Sequence, residues 1–274
     1  MSKVYRLFVA AAMLICSVFA ANAQEVEFPY PDMPDALTQP EQRLEYMLCH
    51  FWDNYSFDDT SSKNLKVGEQ GFVDFLELLK YADGSLAERA VEKYLAASAA
   101  DSTQMSNCEE MIDHYLGVRE SPMRDDCIYA VFLAHLAKIY EESKPAYSNQ
   151  LLFKRNNVMK NQEGTVVSDF VYKDEKGHTI HLYDSKAQVI IIDFHDPDCK
   201  ECRMVEERMK DEPLLHNQAI VLLKIHPEDA TPQFYIPSTP TFYILDSNFR
   251  IIKKDITYEQ LRAFLMKNEE FNPD

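Results

Sequence analysis

The stretch "FHDPDCKECRMVEERM" (Phe194–Met209) decides how this chain is read. Cys199 and Cys202 stand two residues apart, after an apolar run and before residues with helical spacing. Such a pair is a redox centre, half of a metal site or a structural staple, and its neighbours have to choose among them.

Upstream, "AQVIIIDFHD" (Ala187–Asp196) is a nearly continuous apolar strand, the pattern of a strand buried on both faces. A helix is expected to start near Cys199. Before the strand, "TVVSDFVYKDEKGHTIHLYD" holds two strand-like runs around the turn Asp174-Glu175-Lys176-Gly177. After the helix comes a second parallel-type strand, "QAIVLLKIHP", then "TPTFYILDSNFRIIKK", two strands around Asp246-Ser247-Asn248. "TYEQLRAFLMKNEE" closes as a helix capped by Thr257 with Gln260. The order β-β-β-α-β-β-β-α makes 161–274 an α/β domain. Only "KIHPEDATPQFY" precedes "IPSTP", so any helix there is absent or a single turn, with Phe234 and Tyr235 packing and His226 an ordinary surface histidine.

These residues resemble the thioredoxin superfamily, and more closely its exported TlpA/ResA-like thiol-disulfide oxidoreductases. "VIIIDF" is similar to the central strand, "CKEC" to the Cys-x-x-Cys, and "IPSTPTFYILD" to the segment with the family's cis-proline, which falls on Pro240. Arg203 follows the second cysteine, as is common in that family. The likeness covers about residues 161 to 270. There are departures. Asp198 stands for the usual tryptophan, Lys200-Glu201 for two prolines, and His195 for a tryptophan after Asp-Phe.

The resemblance implies a thioredoxin-like fold, Cys199 as nucleophile and Cys202 as resolving thiol. A cis Pro240 would leave the Thr239 backbone to pair with an extended substrate. Asp193 would take the proton from Cys202, or else be a carboxylate bonded only locally. At a helix N-terminus, unpaired N–H groups and the dipole stabilise a thiolate; Lys200 assists, while Asp196, Asp198 and Glu201 oppose. Other readings are weaker. Zinc needs two more ligands, and beyond His195 none stands at suitable spacing. A peroxiredoxin has Thr or Ser three residues before its reactive cysteine, where Cys199 has Asp196. A tight Cys-x-x-Cys loop is a poor structural staple. No metal and no cofactor is expected.

The N-terminal half is different. "MSKVYRLFVAAAMLICSVFAANAQ" reads as a signal peptide (1–23), with Lys3 and Arg6, an apolar run from Leu7 to Ala20, and cleavage after Ala23. Lipidation of Cys16 is disfavoured by the bulky Ile15. Residues 24–40, with four prolines, form an extended lead-in. Residues 41–160 are expected to be an all-α domain of about five helices. In the first, Leu44, Met47, Leu48, Phe51 and Trp52 share a stripe, with Pro40 in its opening turn. Ser85 and Glu88 suggest a capping box for another. The aromatic residues and His135 read as core or packing, Cys49 as a buried small residue, and a Cys108–Cys127 disulfide stays open. His50 and His114 have no ligand partners at metal spacing.

A net charge of −17 at pH 7 argues against nucleic acid and anionic membrane as partners. The function expected is thiol-disulfide exchange on exported proteins, as reductase or isomerase. It would be served by a membrane or periplasmic electron donor, with a homo-oligomer left open. The alternative is a thioredoxin-like scaffold with vestigial redox activity, its partner bound through the helical domain.

Overall fold

The computed structural model of the protein describes residues 27–174, 176–230 and 233–268. The expected signal peptide, Cys16 and the cleavage site lie outside these residues. Among the described residues the N-terminal region is all-α: α1 (Pro40–His50), α2 (Ser62–Leu79), α3 (Gly84–Ser98), α4 (Ser102–Ile112), α5 (Asp126–Tyr140) and α6 (Pro145–Val158). That is six helices, not five. A π turn, Asp113–Gly117, extends α4.

Four of these six helices start where a side chain caps them. Ser61, Asp83, Asp101 and Asp125 each accept from backbone N–H groups of the first turn. The cap of α3 is therefore Asp83, bonded to Leu86 N at 2.7 Å, and not Ser85. The Asp two residues nearer the loop outcompetes the serine because its carboxylate also suits the positive end of the helix. Pro40 does open α1. The helices enclose an aromatic core of Phe51, Trp52, Phe72, Phe75, Tyr94 and Phe132. Phe28 joins it from the lead-in, stacked at 5.0 Å on Phe51 and seated over Gly71, where a Cβ would lie 2.2 Å from its ring. The lead-in is thus anchored at Phe28.

The C-terminal region is α/β: β1 (Val171–Lys173), β2 (Thr179–His181), β3 (Val189–Phe194), α7 (Lys200–Lys210), β4 (Ile220–Ile225), α8 (Pro227–Ala230), β5 (Thr241–Asp246), β6 (Ile251–Ile256) and α9 (Tyr258–Lys267). β1 and β2 form a short antiparallel hairpin. The main sheet runs β4-β3-β5-β6, with β4 parallel to β3 and β5 antiparallel to it. The expected element order holds, and α8 is the single turn before "IPSTP".

Every residue of β3 is buried. Ile190, Ile192 and Phe194 face a core with Phe170, Phe234 and Tyr243. Val189 and Ile191 face a second core with Val205 and Met209 of α7 and Leu261 and Leu265 of α9. Strand alternation puts Asp193 on this second face, beneath α7. α9 begins with the Thr257–Gln260 capping box.

Polar contacts join the two regions. Lys254 Nζ, on β6, donates to the carbonyls of Val158 and Lys160, both at 2.7 Å, and pairs with Asp126 at 2.8 Å. Arg124 Nη1 donates to Asp255 O and Nη2 pairs with Asp255 Oδ2, both at 3.1 Å. Asp255 sits where the β5–β6 register shifts and takes φ +45°, a conformation disfavoured for any residue with a Cβ. Its carboxylate meets Arg124 and Thr241 there, which offsets that cost.

Candidate active site

The loop after β3 delivers Cys199 to the start of α7. Asp196 shapes it. Its carboxylate accepts the Asp198 N–H at 2.9 Å and its carbonyl the Cys199 N–H at 3.0 Å. Arg203 Nη1 reaches back to Pro197 O at 2.7 Å. Cys199 is the N-cap residue of α7, and its Sγ accepts the backbone N–H of Cys202 at 3.1 Å. A sulfur in the place normally taken by a Ser or Asp oxygen is best satisfied as a thiolate.

Both thiols are free and their environments differ. Burial alone would raise the Cys199 pKa. Hydrogen bonds from the Cys202 thiol and N–H, with those of Thr239 and Glu201, outweigh it and hold the group below the usual thiol range. Cys202 is fully buried on the inner face of α7. Burial first, then its hydrogen bond with Cys199, pushes it up to about 11. One thiol is made more acidic and stays partly exposed; the other is made less acidic and is enclosed.

The Thr239–Pro240 bond is cis, and Thr239 O lies 3.5 Å from Cys199 Sγ. The chain entering β5 therefore passes beside the cysteines. Asp193 is 1 % exposed, and its Oδ1 has no hydrogen-bond partner among the described residues. Burial pushes its pKa up to about 7, with Lys224 pulling it down and Glu206 adding to the rise. Lys224 and Glu206 pair at 2.6 Å. His195 bridges the buried and outer carboxylates, with Nδ1 3.7 Å from Asp193 and Nε2 3.8 Å from Glu206. Cys199, Cys202, Thr239 and Pro240 thus converge at the start of α7, while Asp193 lies buried on β3 with His195, Lys224 and Glu206 as its charged neighbours.

The remaining cysteines stand apart from this site. Cys108 is buried on α4, where burial pushes it up to about 12 and Tyr94 and Ser98 bond to it. Cys127 is exposed at the start of α5, so no Cys108–Cys127 bridge forms. Cys49 is half-buried, not enclosed. His226 is exposed.

Residue-by-residue reading of the sequence missed Arg119, Arg124, Glu206, Lys224 and Asp255. The sequence carried one hint: Lys253-Lys254-Asp255 puts three charges in a row inside a strand, where neighbours must neutralise those that turn inward.

A family model described as a domain of unknown function (DUF5106) matches residues 12–151. No curated protein matches the chain. Among solved structures, a thioredoxin-like protein from Bacteroides caccae superposes with a TM-score of 0.65 at 23% identity, covering 88% of this chain and 98% of that one. The C-terminal domain of an uncharacterized protein from Bacteroides fragilis matches at 21% identity and TM-score 0.34, over 39% of this chain and 98% of its own. A thiol:disulfide interchange protein from a Bacteroides species matches at 17% identity and TM-score 0.34, over 40% and 91%. The long superposition shows the fold: an all-α region followed by a thioredoxin-like α/β domain.

Proposed function

Because the chain belongs to the DUF5106 family, whose description assigns no chemistry, we propose its function from the thioredoxin-like part: it is a thiol-disulfide oxidoreductase. The observation that carries this reading is the Cys199 sulfur capping α7, its acidity raised, with Cys202 protonated and buried behind it. A plain structural cysteine pair has no need of that asymmetry.

In the proposed reaction the Cys199 thiolate attacks a substrate disulfide. A mixed disulfide forms and one substrate thiolate leaves. Cys202 then gives up its proton, with Asp193 as acceptor, and attacks Cys199 Sγ. The second substrate thiolate leaves and the Cys199–Cys202 disulfide forms. The substrate gains two electrons and two protons, and a dithiol donor must return them to the protein. Thr239 and Pro240 line the substrate chain.

The substrates are taken to be exported proteins in the periplasm, the donor a membrane or periplasmic protein, and the direction reduction or isomerisation. The charged and then apolar Lys3–Ala20 stretch and the TlpA/ResA-like motifs support this. The corresponding division is signal peptide 1–23, lead-in 24–40, helical domain 41–160 and thioredoxin-like domain 161–274.

The test is trapping with the full chain. Cys202→Ser should accumulate a mixed disulfide through Cys199, and Cys199→Ser should abolish it. The wild type should catalyse insulin reduction by dithiothreitol. A potential near about −270 mV would mark a reductant and one near about −120 mV an oxidant. Absence of both trapping and catalysis would leave the scaffold reading.

A further inference from the structure

The helical region reaches the Thr239–Pro240 loop through Arg119. Arg119, in the segment after the π turn, is only 17 % exposed at its side chain, and its Nη1 donates to Pro240 O at 3.0 Å. Its own carbonyl accepts Gln260 Nε2 from α9 at 3.0 Å. Arg119 is therefore clamped to the α/β part at both its side chain and its backbone. The same guanidinium lies 3.8 Å from Asp255 Oδ1.

Three consecutive residues beside the cysteines are thus each held by a different group. Thr239 O faces Cys199 Sγ, Pro240 O takes Arg119, and Thr241 Oγ1 donates to Asp255 Oδ1 at 2.8 Å. Asp255 is in turn held by Arg124. Two of the three fixings come from the helical region or pass through it. Next to them, between the regions, lies a cleft of about 280 Å³ lined by Val118, Glu120, Lys154, Pro237 and Ser238 among others. Pro237 and Ser238 lead directly into Thr239. A chain lying along Thr239 has this cleft as its continuation, with the Val118–Glu120 segment as the far wall.

We propose that Arg119 is a positioning residue of the redox site, and that the Val118–Glu120 segment forms one wall of the groove that takes the extended chain of a disulfide-bearing polypeptide. This rests on the redox reading above and deepens it: the helical region contributes to substrate binding directly. A charged donor on a buried carbonyl fixes it more firmly than a neutral one, and a planar guanidinium fixes its direction as well. Loosening that carbonyl would blur the backbone against which a polypeptide lies. A small disulfide that reaches Cys199 without lying on the loop would not sense the change.

The experiment uses the full chain as wild type, Arg119→Met, Arg119→Lys and, as a control for the join between the regions, Lys254→Met. Each is assayed on insulin and on 5,5′-dithiobis(2-nitrobenzoate), with melting temperatures alongside. Arg119→Met should lower kcat/KM for insulin about tenfold, mainly through KM, the loss expected for one charge-assisted hydrogen bond. Its rate with the small disulfide should stay within about twofold, and Arg119→Lys should recover part of the insulin rate. Lys254→Met should lower the melting temperature without that selective loss. The proposal is overturned if Arg119→Met leaves insulin kinetics unchanged. It is equally overturned if both substrates suffer alike, in parallel with a stability loss that Lys254→Met reproduces. A wild type inert toward both disulfides would instead refute the redox reading, and this proposal with it.

Discussion

The backbone N–H of Cys202 points at the sulfur of Cys199, 3.1 Å away, so the two cysteines are linked by a helix cap before any disulfide forms. The thiolate form of Cys199 strengthens that bond, whereas Cys202 has burial against its ionisation. Iodoacetamide at pH 7 should therefore label Cys199 and spare Cys202, as read by peptide mass spectrometry. A pKa of about 11 leaves Cys202 with roughly one thiolate in ten thousand at that pH. Equal labelling of the two would contradict the asymmetry.

Asp193 makes stability depend on pH in a fixed direction. Its folded pKa of about 7 lies above the unfolded value near 3.8, so the folded protein keeps a proton that the unfolded chain releases. Stability from this group is fully present below the unfolded value and is lost as pH rises to the folded one. Asp193→Asn abolishes that dependence. Urea titrations should show the variant gaining on the wild type between about pH 4 and 7, by at most about 4 kcal/mol, with no further change above. A difference that stays flat with pH would mean that Asp193 is ionised throughout. The same variant should slow resolution of the mixed disulfide.

Arg124 and Asp255 form a buried ion pair across the two regions. Removing Arg124 leaves the buried Asp255 carboxylate to Thr241 and the more distant Arg119 guanidinium at 3.8 Å, so Arg124→Met should destabilise the protein, by at most about 3–5 kcal/mol in chemical denaturation. Adding Asp255→Asn should recover part of the loss. Salt should change neither result much, because the pair is screened poorly. Additive losses in the double variant would show that the two charges do not interact.

Phe28 and Gly71 fit one another. Phe28→Ala empties a site that is 3 % exposed and should cost about 3–5 kcal/mol. Gly71→Ala overpacks the same contact and should cost about 1–3 kcal/mol. In the Phe28→Ala background the added methyl finds room, so the second cost should shrink. Thermal melts of the four combinations give the coupling directly.

What could be read in advance was what is written locally. The β3 run shows as a fully buried strand because each of its residues is apolar or, at Asp193, enclosed by special chemistry. The Thr257–Gln260 cap spans three residues and was equally legible. α6 escaped notice because it buries few apolar side chains, Leu151 and Val158, while Phe153 points outward. The Arg119 contact could not be read at all. It joins residues 121 apart, and neither has a local pattern that names the other. The row of charge at Arg124-Asp125-Asp126 resembles a solvated surface until the fold brings it face to face with Lys254 and Asp255.

Cys202 has no exposed surface and Cys199 sits at the loop that reaches solvent. In the proposed reaction every electron that enters or leaves must pass through one sulfur. Donor and acceptor cannot occupy the protein together; they take turns at a single counter. Initial rates plotted against the two partners should give the parallel lines of ping-pong turnover, and an excess of either should slow the other. Under that reading, a donor that restores the dithiol would have to engage Cys199 at the same place as the substrate does.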